Sequence, residues 1–144
     1  MAEFGKLARW FTFTSDRFDH SSELPAEYNA GNRFYGRDVA EFLSDGLNAR
    51  GLESSFFDED WGWMVHAGLP DDGVLEVAVY HNPEADPATE SDWALMVRSL
   101  RKEKWLGVIP RLTERELDPR TLATLEDVFA EPGILLRLEE QAAV

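Results

Sequence analysis

The chain has 144 residues, a formal charge of −14 at pH 7 and no cysteine. The length suits one domain, residues 1–144, with enough chain to bury a core. The missing cysteine excludes a disulfide scaffold, a cysteine zinc site and a thiol nucleophile. A composition 44 % hydrophobic and 12 % aromatic is too rich for a disordered chain.

Arg9 to Thr14 is aromatic and β-branched, which predicts a strand. A polar stretch at about 15–36 follows, broken by Pro25, Gly31 and Gly36, and reads as a long loop. Arg37 to Arg50 is the clearest helix. Val39, Phe42, Leu43, Gly46 and Leu47 form one apolar stripe, Gly51 supplies a left-handed stop, and Leu52 is placed to fold back on the last turn. Glycine on the stripe costs about 1 kcal/mol against alanine, so Gly46 is expected to pack closely on the sheet.

Leu52–Phe57, Trp61–Ala67 and Val74–Tyr80 read as strands, the last two joined by the turn Leu69-Pro70-Asp71-Asp72-Gly73. Asp92–Ser99 is another strand, after a proline-containing acidic loop. Trp105–Ile109 is a weaker apolar run. Asp118-Pro119 is a helix start, with Leu122, Leu125, Val128 and Phe129 as its apolar side. Ile134–Leu138 ends the chain as a strand or a helical tail. The order predicts an α+β fold: a single antiparallel sheet of about five strands with two helices on one face. Such a sheet leaves its other face to cover, so the chain is expected as a monomer or a homodimer.

Asn32-Arg33-Phe34-Tyr35-Gly36-Arg37-Asp38-Val39-Ala40, followed by Glu59-Asp60-Trp61-Gly62-Trp63 and by Pro132-Gly133-Ile134, resembles a pattern in small uncharacterised bacterial proteins. These combine a GRD(V/L)A helix start with an EDWGW strand. The likeness covers residues 30–67 and 118–138 and implies no activity.

Catalytic signatures are lacking. No phosphate-cradling glycine loop, G-x-S-x-G elbow or paired-histidine zinc motif occurs, so no catalytic residue, cofactor or metal is assigned. His20, His66 and His81 read as structural or exposed histidines. The most distinctive run is Asp58-Glu59-Asp60-Trp61-Gly62-Trp63. Its adjacent carboxylates need solvent, a cation or a basic partner. Gly62 leaves room between the two indoles, with Trp63 expected in the core and Trp61 nearer the surface. Asp58, Glu59, Asp60, Trp61 and Trp63 form the candidate binding surface.

Charge is unevenly spread. Residues 98–115 hold six basic and two acidic side chains, whereas the rest of the chain holds eight and twenty-six. Arg98, Arg101, Lys102 and Lys104 are therefore a candidate anion patch, or else the charges that keep a sheet edge soluble. The overall charge repels phosphate backbones and anionic membranes, so neither nucleic acid nor membrane is the expected partner. No membrane-length apolar run or signal peptide is evident, and a cytoplasmic location is expected. The leading expectation is a non-catalytic interaction module, of an immunity or antitoxin-like kind, that binds a basic protein. The alternative is a small-ligand binder or enzyme with a pocket between the 15–36 loop and the sheet.

Overall fold

Seven extended runs, most of them alternating apolar and polar residues, build one antiparallel sheet, seen in a computed structural model that describes residues 7–14, 18, 36–59, 62–81, 93–131 and 134–139. The elements are β1 (Arg9–Thr14), α1 (Arg37–Ala49), β2 (Ser54–Glu59), β3 (Gly62–Gly68), β4 (Val74–His81), β5 (Trp93–Trp105), β6 (Ile109–Arg115), α2 (Pro119–Val128) and β7 (Leu135–Glu139). The strands run β2-β3-β4-β5-β1-β7, and β6 pairs with β5 beyond β1. The expected α+β architecture is present, but among the described residues the sheet has seven strands where about five are predicted. The 134–138 segment resolves as a strand against β1.

Strand alternation sends Phe11, Phe13, Trp63, Val65, Leu75, Val77, Val79, Trp93, Leu95 and Val97 to one face, where α1 and α2 close the core. Phe18, inside the stretch read as polar loop, is also core, edge-to-face with Phe13, Phe42 and Trp93. The rest of that stretch, 15–17 and 19–35, lies outside the described residues, and so does any pocket beneath it.

Helix α1 ends as its sequence predicts. Gly51 adopts φ +84°, and the Leu52 N–H donates to the Leu47 carbonyl at 3.0 Å. Gly46 does not meet the sheet. A Cβ there would lie 2.6 Å from Val128 Cγ1, so the glycine lets α1 and α2 cross closely. Asp118 caps α2 by accepting from the Arg120 N–H at 2.7 Å.

Candidate interaction surface

Among the described residues β2 and β7 end the sheet, β6 has no strand on its far side, and β5 has none beyond Leu100 on the side of β4; of these, the β2 edge and the β5 edge carry the charged runs. In an antiparallel ladder successive residues send their N–H and C=O alternately to either neighbour, so a few bonds set the direction for all. The Gly68 N–H donates to the Glu53 carbonyl at 2.9 Å. With the β2–β3 register, Ser55 and Phe57 therefore bond inward to β3, and Ser54, Phe56 and Asp58 face outward. Ser54 is already satisfied: its N–H donates to Asn48 Oδ1 at 2.8 Å, and its carbonyl accepts from Asn48 Nδ2 at 3.2 Å. That leaves the backbone groups of Phe56 and Asp58 unpaired among the described residues.

The acidic run sits at this edge. Asp58 is exposed and Glu59 half-buried, while Asp60 and Trp61 lie outside the described residues. Trp63 belongs elsewhere. It is 4 % exposed on the helix-covered face, so its indole is core and not a binding surface. Gly62 serves backbone approach, because a Cβ there would come within 2.8 Å of the Val79 carbonyl oxygen.

The second edge belongs to the basic island. The Leu69 N–H donates to the Gly73 carbonyl at 2.9 Å, so Leu75, Val77 and Val79 bond toward β3 and their neighbours toward β5. Carried through the registers, Leu100 bonds to β4, and Arg101 and Glu103 bond to β6. Lys102 and Lys104 then direct their backbone groups outward, past the end of β4 at Val74. Here β5 and β6 form an arm that turns at Leu106 (φ +54°) and Gly107 (φ +75°). Leu106 and Val108 are each 75 % exposed at its tip. Arg101, Lys102, Lys104 and Arg111 are exposed along it, with Arg101 3.6 Å from Glu103.

Arg98 is not part of that exposed patch. Strand register places it opposite Glu76 on the face without helices, 9 % exposed. Its Nε donates to Glu76 Oε1 at 2.9 Å, Nη2 donates to the same oxygen, and Nη1 lies 3.8 Å from Glu114. The Leu7 N–H also donates to Glu114. His66 completes the row, 3.0 Å from Glu76 Oε2 and edge-to-face with Phe57. Ser55 stands opposite His66 in register, and the two are a backbone hydrogen-bonded pair of the β2–β3 ladder. His81 is on the other face, against Trp93, so the two histidines are not brought together. Around this row Trp10 stacks on Tyr80 at 5.8 Å, and burial pushes the Tyr80 phenol up.

A cleft of about 230 Å³ is lined by Leu52, Leu69, Asp71, Arg115, Arg120 and Thr121. Its Arg115 is engaged with Asp71 at 2.7 and 3.0 Å. That bond, with help from the Gly73 N–H, holds the Asp71 carboxyl down at about 2. Among the described residues there is no cluster of metal-ligating side chains and no helix long and apolar enough to cross a membrane.

No family model matches the chain, and no curated protein or solved structure matches it. The sequence reading found the acidic run but missed that it borders an edge strand. It also missed the arm, whose charged residues hide the alternation that marks a strand.

Proposed function

We propose that this protein is a non-catalytic interaction module that binds a basic protein segment along the outer edge of β2. The observation that carries this reading is the pair of backbone positions, Phe56 and Asp58, that have no partner strand among the described residues, beside the carboxylates of Asp58 and Glu59. An extended segment adds to such an edge through main-chain hydrogen bonds, and its alternate side chains set specificity. Lysine or arginine opposite Asp58 and Glu59 contributes about 0.2–1 kcal/mol per cross-strand pair. The charge of −14 adds long-range attraction that speeds encounter with a basic partner and weakens with salt.

The test is affinity capture from native extract at low and high salt, comparing wild type with Asp58→Asn/Glu59→Gln. Wild type should retain a discrete protein that carries a basic segment at low salt and release it at high salt, and the variant should not retain it. Capture of the same proteins by both would refute the reading.

A further inference from the structure

The arm edge and the β2 edge match each other. Among the described residues, Lys102 and Lys104 on the arm and Phe56 and Asp58 on β2 direct their backbone groups away from any partner strand. Each edge carries two outward residues, because Asn48 closes the β2 edge at Ser54 and β4 closes the β5 edge at Leu100. Only one antiparallel register sets outward residues opposite outward residues throughout: Lys102 against Asp58 and Lys104 against Phe56. The same register sets Arg101 against Glu59. Two opposite-charge pairs then fall directly across the junction, and Glu103 falls against Phe57.

Pairing of like edges gains no opposite-charge pair. Two arms in the matching register would set Lys102 against Lys104 twice and Glu103 against Glu103, and two β2 strands would set Asp58 against Phe56 and Glu59 against Ser55. Opposite-charge pairs form only between an arm and a β2 edge.

We infer that the occupant of the β2 edge is the basic arm of a second copy of this chain, added as an antiparallel strand. This rests on the reading of β2 as a recognition edge and names its partner. The contact joins unlike surfaces, so it closes when two copies exchange arms or a ring forms, and otherwise extends into chains.

The experiment is sedimentation of the full chain from low to high micromolar concentration at moderate salt, which screens the repulsion between two copies of charge −14, with two charge-reversed variants, Arg101→Glu/Lys102→Glu and Asp58→Lys/Glu59→Lys. Circular dichroism and thermal melting establish that each variant is folded. Wild type should associate with rising concentration. Each variant alone should associate at least about tenfold more weakly, since like charges replace two cross-strand pairs. An equimolar mixture should recover association, because the reversed arm meets the reversed edge. Wild type that stays monomeric throughout overturns the inference, as does a mixture that fails to recover. If wild type is monomeric yet retains a basic protein from extract through Asp58 and Glu59, self-pairing falls and the β2 recognition edge stands.

Discussion

Arg98 shows how one side chain is fixed by neighbours on three strands. Its guanidinium is buried between Glu76 of β4 and Glu114 of β6, and His66 of β3 approaches Glu76 from the far side. Burying ions is costly, and mutual attraction offsets the cost only while every partner stays in place. Arg98→Met should therefore destabilise the fold by about 3–5 kcal/mol in urea denaturation, because it leaves two carboxylates without their cation. Arg98→Lys should lose less, since the charge remains while the forked geometry goes. A loss for Arg98→Met under about 1 kcal/mol would mean that water already solvates the row. The charges of this row were visible in the sequence, but their grouping was not. It depends on the register that sets Glu76 opposite both His66 and Arg98.

Helix α1 was the most legible element, since its apolar stripe and the Gly51 stop both lie within one local segment. What Gly46 touches was not legible, because Val128 is distant in sequence and joins it only when α2 docks. The consequence is measurable. Gly46→Ala ordinarily gains about 1 kcal/mol in helix propensity. Here the new methyl meets the stiff β-branched Val128, so that gain should be cancelled. Gly46→Leu should destabilise by about 1–3 kcal/mol through overpacking. A raised melting temperature for the leucine variant would show that the two helices do not meet at this residue. The β5–β6 arm is the opposite case. Arg101-Lys102-Glu103-Lys104 offers no apolar alternation, and a leucine, not asparagine, holds the first left-handed position of its turn. The arm is a strand because β6 pairs with it, a non-local cause that periodicity cannot reveal.

At the scale of the molecule, a single antiparallel sheet separates an apolar face under two helices from a face where a buried charge row crosses the strands. Acidic side chains dominate the chain, and the one basic island is carried out on an arm. Under the proposed function, stability and recognition draw on different residues of the same hexapeptide. Trp63 fills the core beside Phe56 and Val65, while Asp58 lies on the edge in solvent. Trp63→Ala should cost about 3–5 kcal/mol, because it removes a buried aromatic and leaves a cavity under α1. Asp58→Asn/Glu59→Gln should stay within about 0.5 kcal/mol of wild type, or gain slightly as like charges stop repelling. The two variants are thus expected to split cleanly. The tryptophan variant should melt early, while the carboxylate variant should melt normally and lose its salt-sensitive association. A large stability loss from the carboxylate variant would place those side chains in the structural framework and remove the reason to regard the β2 edge as a docking site.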